Sequence, residues 1–156
     1  MKGNIDVIYM AIMLVVIVLV LIVCGMIFDV VKAANIFPTG TPAGNGFAGF
    51  ENGLHIMDAF PLIIVIAVGL ATIGSAFLLE TNPLYFVIAL LTDGFVIILT
   101  SVFSNMFTGL WASSPTIASA ANSFPLSVLV MQYFPIIAFG LAVLIGIGMY
   151  AKGRRY

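Results

Sequence analysis

Long apolar stretches separated by short polar breaks dominate the hydrophobic pattern of the chain. The stretches cover residues 7–28, 58–79, 84–103 and 126–150, and a polar break at residues 80–83 separates the second from the third. A helix needs about 20 apolar residues to cross the hydrocarbon core of a bilayer. Apolar runs of this length are typical of spanning helices, which satisfy every backbone hydrogen bond within one segment. The pattern therefore predicts an all-α polytopic membrane protein with four transmembrane helices in a single transmembrane domain.

The break between the second and third stretches is short and predicts a tight hairpin. Asp58 is a favourable N-cap for the second span, and Pro61 fits its first turn. Thr81 and Asn82 form the expected turn, because a residue before a proline is disfavoured in a helix and Pro83 suits the first helical position. Because so few residues connect the two spans, we expect them to be antiparallel neighbours.

Two loops are predicted outside the hairpin. Residues 35–57 form a long irregular loop, because Pro38, Pro42 and five glycines interrupt helices and strands there. Residues 104–122 form a polar loop without charged residues, in which residues 116–122 fit a short surface helix.

Prolines divide the last apolar stretch and leave its path open. The hydrophobic residues run from position 124 to position 150, and Pro125 and Pro135 divide them. A straight helix of these 27 residues would be too long for the bilayer. We therefore expect either a tilted or kinked span, or an interfacial segment up to Phe134 followed by a span from Pro135. Whether residues 116–134 lie on the membrane or in it stays open.

The composition favours lipid as the partner and argues against nucleic-acid binding, metal binding and catalysis. The chain is 63% hydrophobic and 7% charged, whereas soluble domains contain about 25% charged residues, so the lipid bilayer is the expected solvent. The net charge of −1 gives no basic surface for nucleic acid. With one cysteine and one histidine, the chain lacks the patterns of metal sites, phosphate-binding loops and catalytic triads. We expect no enzyme activity, no catalytic residue, no cofactor and no metal.

Small residues recur every four positions in two of the predicted spans. The rows are Ala67, Ala71 and Ser75 in the second span and Ala138, Ala142 and Gly146 in the fourth. Small side chains let helix backbones approach closely, which is how membrane helices associate without a hydrophobic driving force. The second span is therefore predicted to form a buried helix-to-helix seam, and the rows favour packing into a homo-oligomer or against other membrane proteins.

A polar stripe crosses the third span. Asp93, Thr100 and Ser104 follow one another at spacings of seven and four, which places them on one helix face. A charge near the bilayer centre costs about 2.5–3.5 kcal/mol on insertion scales. We therefore expect Asp93 to be protonated, or hydrogen-bonded to Thr92 or to a neighbouring helix. Its role is either polar contact between helices, which we favour, or an ion or proton relay.

Basic residues near the ends of the chain predict its orientation. Lys152, Arg154 and Arg155 form the basic cluster of the tail, and Lys2 adds a fourth positive charge on the same side of a four-span protein. Positive residues favour the cytoplasmic side of a membrane. Both termini are therefore expected in the cytoplasm, or on the equivalent inner face of an enclosed vesicle.

Three segments carry a resemblance to a known group of proteins. They are Asp58-Ala-Phe-Pro61, Asn82-Pro-Leu-Tyr-Phe-Val-Ile88 with Phe103-Ser-Asn105, and Asn122-Ser-Phe-Pro-Leu126 with Met149-Tyr150. These segments resemble those of small four-span membrane proteins of tailless icosahedral viruses and phages that carry a lipid membrane. The resemblance implies a structural protein of the internal virion membrane, which lies beneath the capsid, contacts capsid proteins, and fixes curvature or anchors vertices.

Three functions are therefore open at this point. The first is a structural membrane protein that associates through its small-residue rows and contacts shell proteins through its loops. The second is a holin-like or proton-conducting pore lined by Asp93, Thr100 and Ser104. The third is an accessory subunit of a larger membrane complex.

Overall fold

The protein is helical throughout the part of the chain that the structure describes. The computed structural model describes the backbone of residues 2–78 and 83–153, and side-chain environments within residues 9–76 and 87–150. No strand occurs within those limits. The helices are α1 (Lys2–Ala33), α2 (Pro42–Met57), α3 (Phe60–Leu78), α4 (Pro83–Ser113), α5 (Pro115–Asn122), α6 (Pro125–Gln132) and α7 (Phe134–Gly153).

Several of these helices are long and apolar enough to cross a membrane. Three stretches qualify on their own. They are Tyr9–Ala33 in α1, Pro42–Ala76, which takes in α2 and most of α3, and Val87–Ser113 in α4. The consecutive helices over Pro125–Gln132 and Phe134–Tyr150 are bent by 61° and give a fourth span if they are counted together. The predicted all-α class is thus confirmed for the described residues, and three or four helical stretches are long and apolar enough to span a membrane.

Four long helices, α1, α3, α4 and α7, form the main bundle. Both α1 and α7 pack against α3 and against α4. We expected the second and third spans to pack side by side. Among the described residues, however, α3 and α4 each make their most extensive contact with α7. Close approach of α7 is one physical reason, because a Cβ at Gly69 of α3 would lie only 2.9 Å from Leu141 Cδ2 of α7. The turn at Thr81 and Asn82 lies outside the described residues.

The core runs along one face of α1 and into α6 and α7. Ala11, Leu14 and Val18 recur at helical spacing and are fully buried, as are Val130 and, nearly so, Phe134. Lipid tails are as apolar as leucine, so close packing, and not transfer out of water, is what favours these contacts inside a membrane.

The segment predicted as a long loop contains a helix, and that prediction was wrong over Pro42–Met57. The Thr41 hydroxyl accepts the Gly44 amide at 3.0 Å and donates to the Pro38 carbonyl oxygen at 2.8 Å. Pro42 occupies the first turn, where its missing N–H leaves no bond unmade. Only glycine fits at position 44, since a Cβ would lie 2.2 Å from the Pro38 oxygen. The N-terminal cap therefore offsets the low helix propensity of the glycines.

Aromatic stacking and an ion pair hold α2 against the end of α1. The Phe28 ring stacks on Phe47 with centroids 4.5 Å apart, and on Phe50 with centroids 5.6 Å apart. The Lys32 ammonium pairs with the Glu51 carboxylate beside this stack. These tertiary contacts explain why a glycine-rich segment is a helix here.

The segments between the third span and the last one are also ordered inside the protein. α5 was expected on the surface, but Ala120 and Ala121 are fully buried and α5 packs on α1 and α4. The segment lies close to α1, because a Cβ at Gly25 of α1 would be only 2.8 Å from the Phe124 ring and in ordinary contact, at 3.5 Å, with the Ala120 Cβ. The last stretch is not one straight helix: it breaks at Tyr133, just before Pro135, and its two parts are bent by 61°. Its first part, α6, packs inside the protein instead of lying on the outer surface.

Candidate functional site

Buried polar side chains mark two places inside the helical bundle. Among the side chains that the structure describes, no three His, Cys, Asp or Glu residues come together as metal ligands. The first place is the break between α5 and α6, where Asp58 and Ser127 are buried. The second is a cleft between the long helices that Asp93 and Thr100 line.

The break between α5 and α6 creates unpaired backbone groups. Every helix end leaves amide or carbonyl groups without a partner in the helix. The N-cap residue of α6 is Phe124, whose side chain cannot accept a hydrogen bond. The amides at the start of α6 therefore need an acceptor from another part of the chain.

Asp58 supplies that acceptor from the junction of α2 and α3. Its Oδ2 accepts the Leu126 amide at 2.9 Å and its Oδ1 accepts the Ser127 amide at 2.8 Å. The Ser127 hydroxyl donates back to the Asp58 carbonyl oxygen at 3.4 Å. A carboxylate at a helix N-terminus is also favoured by the helix dipole. Hydrogen bonds to an ionised acceptor are stronger than neutral ones.

The prediction that Asp58 caps its own span was wrong. Asp58 is the C-cap of α2, and its carboxylate is committed to α6, 68 and 69 positions away in the sequence. A local capping rule cannot identify a partner at that distance. One signal was present in the sequence: a helix that starts at Pro125 after Phe124 has no capping side chain of its own.

His55 satisfies the opposite end of the same break. Its Nδ1 lies 3.1 Å from the Ser123 carbonyl oxygen at the end of α5, and because a carbonyl only accepts, the ring nitrogen donates. The His55 ring also lies 5.7 Å from the Phe124 ring, centroid to centroid. We call His55 and Asp58, with the α5–α6 break that they contact, the junction clamp. The single turn from His55 to Asp58 thus supplies hydrogen-bond partners for one carbonyl at the end of α5 and for two amides at the start of α6.

Asp93 lines a cleft between α1, α3, α4 and α7. The cleft has a volume of only about 30 Å³, and Met10, Val68 and Ala138 contribute to its mainly apolar lining. Thr100 also faces this cleft and is 1% exposed. The polar stripe predicted on the third span therefore faces inward in this part of α4.

The members of the stripe make different contacts. Thr100 donates to the Ile97 carbonyl oxygen of its own helix at 2.9 Å. Ser104 donates at 3.2 Å to the Gln132 carbonyl oxygen, at the bend between α6 and α7. Thr92, the expected partner of Asp93, donates instead to the Ile88 carbonyl oxygen at 2.9 Å. Ser104 is thus the member that joins two helices.

The two small-residue rows take different positions. Ala138 and Ala142 line the cleft on α7, and Gly146 is half-buried one turn further along. The row on α3 faces outward. Ala67, Ala71 and Ser75 are exposed, whereas Val65, Gly69 and Ala76 form the buried face of α3.

The seam of α3 within the chain therefore uses the opposite face from the predicted one. Spacing identifies a face of small residues but not the partner that covers it. Packing of the outer row against a second chain stays a prediction. Of the basic tail, Lys152 lies in α7, and Arg154 and Arg155 lie outside the described residues.

Comparison with known proteins gives no relative for this arrangement. No protein-family model, characterised protein or solved structure matches the chain. The resemblance of three segments to virion membrane proteins therefore stays a hypothesis.

Replacing Asp58 by Asn should weaken the junction clamp. The amide keeps the size of the side chain but turns one acceptor into a donor that faces a backbone N–H. We expect a loss of about 1–3 kcal/mol in the free energy of unfolding, the usual cost of a buried group left unpaired. Denaturant titration in detergent and hydrogen exchange at Leu126 and Ser127 measure the change. Asp29→Asn, at an exposed acid, is the control, and equal behaviour of the two variants would contradict the clamp.

Replacing Ser104 by Ala should loosen the bend between α6 and α7. Hydrogen bonds between membrane helices contribute about 0.6 kcal/mol on average, so we expect a loss of that size. Ser101→Ala is matched in chemistry and helix, because the Ser101 hydroxyl donates at 2.8 Å only to the Ile97 carbonyl oxygen of its own helix. Unfolding in mixed micelles compares the two variants. A larger loss in Ser101→Ala than in Ser104→Ala would rule out the interhelical role.

Proposed function

We propose that this protein is a structural integral membrane protein that packs in a membrane and organises it, together with copies of itself or with other membrane and capsid proteins. The observation that carries the proposal is the use of buried polar groups. Asp58 and Ser104 connect separate helices, as expected of a protein whose function is to hold a shape in lipid. Lipid is the first partner, and nucleic acid is not expected.

The outer surface of the long helices supports this proposal. Leu70, Leu91 and Ile136 are 66%, 72% and 66% exposed, which suits contact with hydrocarbon and not with water. Between such side chains on α3, the exposed row that contains Ala67 and Ala71 offers a flat path for another helix. Association through this row is the proposed route to a homo-oligomer.

The expected orientation is part of the same proposal. The four spans predicted from the sequence would place both termini on one side of the membrane. The basic tail favours the cytoplasmic side, or the inner face of an enclosed membrane.

The internal membrane of a lipid-containing virion, beneath its capsid, is the specific location that we propose, and it rests on the resemblance of the three segments. Purification decides it. The protein should co-purify with shelled particles, stay with their lipid core after the shell is removed, and resist alkaline extraction. Recovery only in a detergent-soluble complex with respiratory or transport proteins would overturn this location and favour an accessory subunit.

Bulky residues in the outer row of α3 should block self-association. The double variant Ala67→Leu, Ala71→Leu fills the path between helices while it keeps the surface apolar. We expect at least a tenfold weaker association, about 1.4 kcal/mol, measured by energy transfer between labelled copies in liposomes. Ala112→Leu, at an exposed alanine of α4, is the control and should associate normally. Unchanged association of the double variant would contradict the proposed interface.

A pore is the second candidate, because Thr72, Asp93 and Thr100 line the same cleft. The structural proposal expects liposomes with the wild-type protein and with Asp93→Asn to pass protons equally slowly, at the rate of protein-free liposomes. A pH-sensitive dye inside the liposomes measures this rate. Proton flux that the wild type supports and Asp93→Asn abolishes, with assembly intact, would establish the pore and overturn the structural role as the main function.

A further inference from the structure

The outward face of α2 and α3 carries no charged side chain. The stretch Pro42–Ala76 contains three ionisable side chains, and all three bond to other parts of the chain. Glu51 pairs with α1, His55 with the end of α5 and Asp58 with the start of α6. Outward, α2 exposes uncharged side chains such as that of Phe50. A helix in water shows the reverse arrangement, so this face suits contact with lipid or with another protein.

Exposed positions recur every seven residues along this face. They are Gly46, Gly53, Phe60, Ala67 and Gly74, and four of the five are small. The backbone at Asp58 stays right-handed helical, and the Ile63 amide donates to the Ala59 carbonyl oxygen at 3.0 Å, so the spacing continues from α2 into α3. A repeat of seven is the spacing at which one helix meets a second helix along its length.

The glycines of this repeat have no packing role within the chain. A Cβ at Gly46, Gly53 or Gly74 would meet no atom within 4 Å among the described residues. Gly44 differs, because a Cβ there would lie 2.2 Å from the Pro38 oxygen. Glycine is unfavourable in a helix interior, so contacts within the chain do not explain it at the first three positions. Glycine does let the backbone of a second helix approach closely.

We therefore propose that the α2–α3 stretch packs along its outer face against the same stretch of a second copy, in parallel about a two-fold axis. The inference rests on the proposed association through α3 and extends it to α2. The 35 residues extend for about 50 Å, and for about 40 Å across the bilayer at a tilt of about 40°, whereas the hydrocarbon core is about 30 Å thick. Hydrocarbon alone therefore does not cover the face. A second copy in the same orientation supplies a helix of equal length with the same repeat, and a two-fold axis brings equal positions together.

Cysteine cross-linking in liposomes tests this contact. Cys24→Ala first removes the only native cysteine. Single cysteines then replace Gly53 on the α2 face, Ala67 on the α3 face, or Ala48, an exposed alanine on a different side of α2. A disulfide needs Cβ atoms about 4 Å apart, so equal positions link only where they meet at the axis. Under oxidation, Gly53→Cys and Ala67→Cys should each give about ten times as much linked dimer as Ala48→Cys.

The double variant Gly46→Leu, Gly53→Leu tests the contact without cysteines. Leucine favours a helix more than glycine does, and a Cβ at either position meets open space within the described residues, so the Tm in detergent should not fall. Association in liposomes, measured by energy transfer between labelled copies, should weaken by about tenfold or more. Ala48→Leu is the matched control and should associate normally.

The outcomes separate this inference from the association through α3. Linkage of Ala67→Cys without linkage of Gly53→Cys would overturn the α2 contact and leave the α3 interface in place. Equal linkage of Gly53→Cys and Ala48→Cys, or normal association of the double leucine variant, would mean that lipid or another protein covers α2 and would also overturn the inference. Linkage of neither Gly53→Cys nor Ala67→Cys would contradict both interfaces.

Discussion

The carboxylate of Asp58 on the first amides of α6 is the contact on which the rest of the structure depends. α5 and α6 are helices of eight residues each that meet at a break inside the bundle. Helices of this length are marginal on their own, and their unpaired ends are costly where water is scarce. Asp58 and His55, which lie at the end of α2, lower that cost by supplying hydrogen-bond partners to both helix ends at the break. Without this contact, the buried position of α5 and α6 would have no evident compensation.

The same contact explains how α7 takes its place. α6 leads directly into α7 through the 61° bend, and Ser104 pairs with the carbonyl of Gln132 at that bend. α7 can then lie between α3 and α4 and close the cleft that contains Asp93. The buried polar groups thus lie at the break between α5 and α6 and at the bend between α6 and α7, where they pair backbone groups.

The fold class followed from the sequence because apolar length is a strong local signal, and the spans over residues 7–28 and 84–103 fall inside α1 and α4. What could not be predicted depended on distant partners. Glycine costs about 1 kcal/mol in a helix, yet α2 forms because Thr41 caps it and Phe28 stacks on it. The outward position of Ala67 and the inward position of Ala120 likewise reflect neighbours far away in the sequence.

The candidate site could be predicted only in part. Asp93 stood out in the sequence as an acid in an apolar run, but Thr72, which lines the same cleft, lies on another helix.

The continuous stretch from Pro42 to Ala76 has 35 residues. At 1.5 Å per residue it extends for about 50 Å, whereas the hydrocarbon core of a bilayer is about 30 Å thick. The stretch is therefore about 20 Å longer than that core, and Asp58 lies within it at the junction of α2 and α3. A force applied to α2 would load the Asp58 hydrogen bonds first, because they join the α2–α3 junction to the start of α6. It would in this way reach the packing of the buried helices.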